Sequence, residues 1–315
     1  SYIDIEDIYS IKTPLGLKKI KKIIEKSKPD ILHLHHRTSS IEFFVKEIKS
    51  NIPMINTVHS STGSLRLEVV DLVHYIHYKK LAEKLQKYSD FVISVSDYNK
   101  EKLIENGLDK NKVTTIRNGI NIEDYKVSKK EARKKLRIDE NKKIVLFAGR
   151  HVREKGLGYL LKAFKKIKEA ELIVLGEGPL TEFYKNLYSY ENIKFKGRVP
   201  NEEVSLYFSA ADIFVLPSVY PEPQGVVLME AMASKTALVA TNTGGTPEVI
   251  KECKSGLLVE PKSKEQIMKS LKKLIEDNKL RKKFADNGYD NVKRKYTWKK
   301  IAKDTEKIYK KVLVE

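Results

Sequence analysis

Short apolar runs alternate with amphipathic stretches along this chain of 315 residues. That alternation predicts an α/β protein whose parallel sheets carry helices on both faces. Two further observations support the prediction. The chain is longer than a single compact core usually organises, so two domains are the default. Several strand-like runs of the second half end in glycine- or proline-bearing connectors, the punctuation expected before a helix that returns over the sheet.

In the first half, strands are expected at Ile31–Leu34, Met54–Val58, Phe91–Val95 and Val113–Ile116. Helices are expected near Leu17–Ser27, Ser40–Lys49, Val69–Tyr88 and Asn99–Asn106. Asn118-Gly119-Ile120 is a hinge candidate, and a charged helix follows near Lys129–Leu136. The second half supplies strands at Ile144–Ala148, Leu172–Leu175, Ile193–Phe195, Ile213–Leu216, Ala237–Ala240 and Gly256–Val259. Six strands with intervening helices complete a doubly wound domain. Four do not, so the first domain is expected to be incomplete, lacking its first strand and the glycine-rich turn after it. The expected domains are residues 1–121 and 122–297, followed by a final helix over 298–315.

Composition narrows the function classes. Hydrophobic residues make up 41% and charged residues 33% of the chain, as in a globular protein. A single cysteine, Cys253, excludes an internal disulfide and fits a reducing compartment. No run approaches the roughly 20 apolar residues of a membrane span, and no signal peptide is evident. A cytoplasmic protein is therefore expected. The net charge of +19 is concentrated in the second part: residues 126–315 carry 41 basic against 25 acidic groups, residues 1–125 only 20 against 17. Ten of the 61 basic residues are arginine, and lysine spread over helix surfaces argues against a nucleic-acid partner. Helices such as Leu17–Ile24, which pair an apolar stripe with lysines, instead allow peripheral contact with an anionic membrane at its inner face.

The most informative stretch is Ser218-Val219-Tyr220-Pro221-Glu222-Pro223-Gln224-Gly225-Val226-Val227-Leu228-Met229-Glu230. A strand ends before it, prolines prevent its continuation, and a helix opens after Gly225. Glu222 then lies at the helix mouth and Glu230 two turns inside, with the free N–H groups of Gln224 to Val227 between them as an anion site. Two glutamates eight apart are by themselves more often a solvated helix face. Other crevice loops change that weighting. After Ile144–Ala148 comes Gly149-Arg150-His151-Val152-Arg153-Glu154-Lys155-Gly156, whose Arg150 and Lys155 suit a diphosphate. Gly176-Glu177-Gly178-Pro179, Gly197-Arg198-Val199-Pro200 and Thr243-Gly244-Gly245-Thr246-Pro247-Glu248 follow later strands.

In this order and spacing the segments resemble the retaining glycosyltransferases of family 4, with the GT-B fold of two Rossmann-like domains. The resemblance runs from about Pro29 to Trp298. It implies that Arg150 and Lys155 bind the donor diphosphate and stabilise charge on the leaving nucleotide. It implies that Glu230 accepts from the ribose, that Glu222 and the backbone of Gln224, Gly225, Val226 and Val227 hold the donor sugar and distal phosphate, and that Val199 offers its backbone to the base. Gly178 belongs to the same donor-binding set, and Gln224 stands where many relatives carry Phe. In Asn56-Thr57-Val58-His59, His59 resembles the histidine that faces the donor sugar, whereas His33, His35 and His36 are read as packing and loop residues. The final helix is expected to cross back to the first domain.

The implied reaction is transfer of a sugar, with retention, from a nucleoside-diphosphate-sugar to an acceptor hydroxyl of a glycan, lipid or small molecule. Glu222, His59, Arg150 and Lys155 form the expected catalytic set. No Asp-x-Asp motif is present, and two cations can replace a divalent ion, so no cofactor and no metal are expected. The alternative is a donor-binding but inactive protein or truncated fragment, motivated by the short first half, with a sugar-nucleotide epimerase ranked below it.

Overall fold

The computed structural model describes residues 14–36, 51–59 and 70–314. The expected helix at Ser40–Lys49 lies outside them. The chain divides into two compact units, residues 1–117 with 301–315, and residues 118–300.

The first unit holds helix α1 (Pro14–Ser27), β1 (Leu32–His36), β2 (Met54–Val58), α2 (Val70–Tyr88), β3 (Phe91–Ser94), α3 (Asp97–Glu105) and β4 (Val113–Thr115). Its strands form a parallel sheet in the order β1-β2-β3-β4. Alternation along β2 and β3 feeds two cores. Met54, Val58 and Val92 join Ile20, Leu81 and Leu85 on one face. Ile55 and Ile93 meet Val312, with Ile308 and Tyr309 packed beside them, on the other. Ser96 starts α3 as a capping residue, its hydroxyl accepting from Asn99 N–H.

In the second unit, α4 (Lys129–Leu136) precedes β5 (Lys143–Ala148), α5 (Leu157–Phe164), β6 (Ala170–Leu175), α6 (Thr181–Leu187) and β7 (Ile193–Gly197). Then come α7 (Asn201–Ala210), β8 (Ile213–Leu216), α8 (Val226–Ala233), β9 (Ala237–Thr241), α9 (Thr246–Cys253) and β10 (Gly256–Val259). Helices α10 (Lys264–Glu276), α11 (Asn278–Lys295) and α12 (Trp298–Val314) complete the chain. The six parallel strands lie in the order β10-β9-β8-β5-β6-β7. Strands buried on both faces read as continuous apolar runs. Ile144, Leu146, Phe214 and Leu216 serve one core, while Val145, Phe147, Ile213 and Val215 serve the other.

That strand order fixes the site. The chain builds outward from β5 to β7, returns to β8 beside β5, and builds outward again to β10. The reversal between β5 and β8 is the topological switch point, and crevices there, at the carboxyl ends of the strands, are where open α/β sheets bind ligands. The connectors leaving β5 and β8 are those bearing Arg150, Lys155 and Glu222. At the opposite, amino ends of these strands, Asp212 takes a buried salt bridge from Arg133 at 2.8 Å and accepts from Ile144 N–H at 2.9 Å.

Candidate functional site

The connector after β8, residues 217–225, is pinned on three sides. The Thr241 hydroxyl donates to Ser218 O at 2.6 Å, Val219 N–H to Glu154 O at 2.9 Å, and Gly245 N–H to Glu222 O at 2.8 Å. Two glycines permit this. Gly156, at φ +67°, lies so close to Pro217 that an added Cβ would sit 1.9 Å from its carbonyl oxygen. At Gly244, φ +60°, the same atom would fall 2.3 Å from Glu222 O. Both positions combine a left-handed backbone with backbone contact, which only glycine tolerates.

On this fixed loop the Glu222 carboxylate meets the Lys155 ammonium at 2.6 Å, and the Ser218 hydroxyl donates to the same oxygen, Oε1, at 2.5 Å. The ion pair spans the switch point. Glu222 is mostly buried and Lys155 about a third exposed, so the ammonium neutralises the carboxylate while still reaching the opening. Oε2 remains available as an acceptor. Arg150 is exposed and makes no ion pair or hydrogen bond through its side chain among the described residues.

Gly225, at φ +74°, caps α8 without a side-chain hydrogen bond. The N–H groups of Gln224, Gly225, Val226 and Val227 find no acceptor among the described residues, which leaves an open set of donors with the positive end of the helix dipole behind them. Two turns in, Glu230 Oε1 accepts from the Tyr125 hydroxyl at 2.9 Å. Burial raises the Glu230 carboxyl above the ordinary carboxylate range, opposed by that hydrogen bond. Burial, and then the Glu230 charge, push the Tyr125 phenol far above its usual value, so it stays a donor.

Gln224 is 1% exposed and faces the protein. Its Oε1 accepts from Asn118 N–H at 2.7 Å and from Asn118 Nδ2 at 2.8 Å. The side chain thus ties the loop to the first residue of the second unit. The neighbouring segment is itself bridged: Ile120 N–H donates to Tyr296 O at 2.7 Å, and the Trp298 ring lies against Gly119.

Gly178 is required by a protein contact, since an added Cβ would sit 2.6 Å from His151 O. Its N–H donates to Thr181 Oγ1 at 2.8 Å. The same hydroxyl shares a hydrogen bond with the buried His151 Nδ1 at 2.9 Å, joining the connectors after β5 and β6. Burial lowers the His151 pKa, keeping the ring neutral. Val199 is half-buried against the core, and its backbone N–H and C=O bond to none of the described residues.

In the first unit, His59 follows β2 and its Nε2 lies 2.8 Å from His35 Nδ1, the rings stacked at 5.1 Å. His33 contacts Thr57 Oγ1 at 2.7 Å and Tyr309 OH at 2.6 Å. His33 has the packing role expected of it, whereas His35 directly partners the histidine singled out at His59.

The structure therefore brings Lys155 and Glu222 into contact beside the Gln224–Val227 amides of the second unit, with Arg150 and Val199 on connectors at the same sheet edge. Sequence reasoning missed Ser218 and Tyr125, and read Asn118 only as part of a hinge. Ser218 lay within the quoted motif, but Tyr125 reaches Glu230 from 105 residues away and Asn118 reaches Gln224 from 106, separations over which no local pattern reports the contact.

Residues 128–291 match the model of the glycosyl transferases group 1 family, and residues 9–124 match that of glycosyltransferase family 4. The chain belongs to the group 1 glycosyltransferases and is an enzyme of GT-B architecture. An uncharacterised glycosyltransferase of Methanocaldococcus jannaschii is 30% identical over 312 residues, covering 93% of this chain and 78% of its own. Sucrose-phosphate synthase of Thermosynechococcus elongatus superposes with a TM-score of 0.83 at 24% identity, covering 100% of this chain and 81% of its own. The Anabaena protein HepE, in complex with UDP, gives 0.82 at 18% identity, covering 94% and 82%. At those identities the two structures show the fold alone. Among the described residues no helix is long and apolar enough to cross a membrane.

Proposed function

We propose that the chain transfers a sugar from a nucleoside-diphosphate-sugar to an acceptor hydroxyl with retention of configuration and without a metal ion. The observation that carries this reading is the set of donors at the switch point: Arg150 and the four amides at the start of α8, unpartnered among the described residues, beside the partly exposed Lys155 that pairs with Glu222. A diphosphate is the ligand whose charge and length match them. The UDP held by the Anabaena relative supports the same class of donor.

Breaking the bond from the anomeric carbon to the diphosphate oxygen puts negative charge on the leaving nucleotide. Arg150, Lys155 and the α8 amides meet that charge without reorganising, which is the term that matters most when bond breaking runs ahead of bond making. Glu222, neutralised by Lys155 and fixed by Ser218, works through its second oxygen as an acceptor for sugar hydroxyls, not as a nucleophile. Glu230 accepts from the ribose, Val199 meets the base edge, and His59 faces the donor sugar. The acceptor hydroxyl attacks the face the diphosphate leaves. Peripheral contact with an anionic membrane through the lysine-bearing helices belongs to the same proposal.

A panel of UDP-, GDP- and ADP-sugars, followed by NMR of the anomeric product and repeated in excess chelator, tests it. Transfer with retention, insensitive to chelator, is the expected result. An inverted product, or activity abolished by chelator and restored by a divalent ion, refutes the mechanism.

A further inference from the structure

Beside Asp212, the second unit holds a cavity of about 580 Å³, within the size range of small-molecule sites. Three segments line it: Tyr125 to Lys129 ahead of α4, Ser234 and Lys235 at the end of α8, and the face of α11 bearing Arg281, Lys282, Asp286 and Tyr289. Some of its charges are spent on the protein. Lys129 bonds Asp212 at 3.0 Å, and Lys126 pairs with Glu123. Arg281 gives its donors to Leu274 O, Ile275 O and Asn278 Oδ1, and its Nε lies 3.9 Å from Asp212.

Others are unspent. Lys235 lies over the Tyr289 ring at 4.7 Å and has no carboxylate partner among the described residues, and neither has Lys282. Asp286 is an exposed carboxylate without an ion pair among those residues. Two free ammonium groups suit a phosphate, for which lysine acts as a point charge. The Asp286 carboxylate beside them suits the hydroxyl groups of the same molecule. A bare anion would leave Asp286 repelled, and a neutral sugar would leave the lysines unused.

We propose that this cavity is a second ligand site, which binds a small phosphorylated sugar or polyol. Its phosphate lies between Lys235 and Lys282, and its hydroxyls bond Asp286. The cavity also touches the donor site. Tyr125 lines it, and the Tyr125 hydroxyl is the partner of Glu230. This coupling rests on the reading of Glu230 as the nucleotide contact. A ligand that shifts Tyr125 changes the hydrogen bonding of Glu230, so occupancy of each site alters affinity at the other by the same factor.

Calorimetric titration of the full chain with glucose 6-phosphate tests the site. Saturable binding is expected, weakened about ten-fold by Lys282→Glu, further weakened by adding Lys235→Gln, and retained in Arg150→Ala. No saturation up to about 10 mM overturns the proposal, as does binding that survives the double substitution or disappears in Arg150→Ala. Vesicles containing phosphatidic acid form a second arm. Lysine-dependent sedimentation with vesicles, without binding of soluble glucose 6-phosphate, assigns the lysines to a lipid headgroup and also overturns it. With UDP present, the glucose 6-phosphate affinity is expected to shift about five-fold, and Tyr125→Phe is expected to remove the shift. An unshifted wild type refutes the coupling. Failure of the donor reading is separately visible, because UDP itself then fails to bind while glucose 6-phosphate still does.

Discussion

The two ends of the second sheet both bury a carboxylate among cations, and they treat it differently. At the amino end Asp212 is saturated: Arg133, Lys129 and the Ile144 amide hold it, and Arg133 spends its other donors on Ala210, Asp139 and Glu140 carbonyls. Burial opposes ionisation there, but Lys129, the Ile144 amide and Arg133 together keep the Asp212 carboxyl below its ordinary value. At the carboxyl end, Glu222 shares one oxygen with Lys155 and Ser218, Glu230 has Tyr125, and Arg150 and four backbone amides have no partner among the described residues. Complete pairing marks a structural joint. Incomplete pairing, held in place by glycine contacts and hydrogen bonds, is what the proposed donor site requires.

Substitutions at the two ends should therefore separate stability from activity. The largest effect is expected from Asp212→Ala, which strands Arg133 and should cost about 3–5 kcal/mol of unfolding free energy. Urea denaturation measures it, and a loss below about 1 kcal/mol would erase the distinction between the ends. Lys155→Ala is expected to lower turnover of the donor by roughly 10²–10³. The same change should alter stability by less than about 1 kcal/mol, since the ammonium is partly exposed. Full turnover in that variant would sink the assignment of the cation.

Gln224→Ala leaves Asn118 N–H and its side-chain amide without their acceptor, and about 1–3 kcal/mol of destabilisation follows from such a loss. Because the same loop carries Glu222 and the α8 amides, KM for the donor should rise with it. An unchanged KM would show that the 217–225 connector holds its shape without this tie.

Glu230→Gln should give the smallest stability change, in the opposite direction. Burial makes the Glu230 carboxyl harder to ionise in the folded protein. The folded state therefore keeps its proton at pH values where the unfolded chain has lost it. The stability associated with this group falls as pH rises from the ordinary carboxylate value through the raised one, and at neutral pH the ionised group is a net cost. The amide should leave stability at pH 7 equal or slightly higher and flatten its decline through that acidic window, while donor affinity drops. Thermal melts across the acidic range read the first effect and donor titration the second. A clear loss of stability at pH 7 would mean that Tyr125 more than compensates the burial.

Much of this was legible in the sequence. Every strand expected in the second half is present, because strands buried on both faces must be continuous apolar runs, and Ile213–Leu216 can be little else. Edges were read short where polar residues continue the ladder, as at Lys143 in β5 and Lys196 and Gly197 in β7. The motif from Ser218 to Glu230 could be read because strand, proline loop, glycine and helix follow one another in the chain. The contacts of the Gln224 side chain could not be read that way, because the fold turns it inward to Asn118, 106 residues away in the chain.

The sequence by itself determined the alternation of strands and helices, the strand-end connectors and their cations, and membership of the family that uses them. All of these are encoded over a few neighbouring residues, through periodicity and backbone chemistry. Only the tertiary structure decided which charges are spent. Whether a lysine meets a carboxylate at 2.6 Å, as Lys155 does, or none among the described residues, as with Lys282, depends on the packing of segments distant in the chain. Composition records that a charge exists, and only the fold supplies its partner.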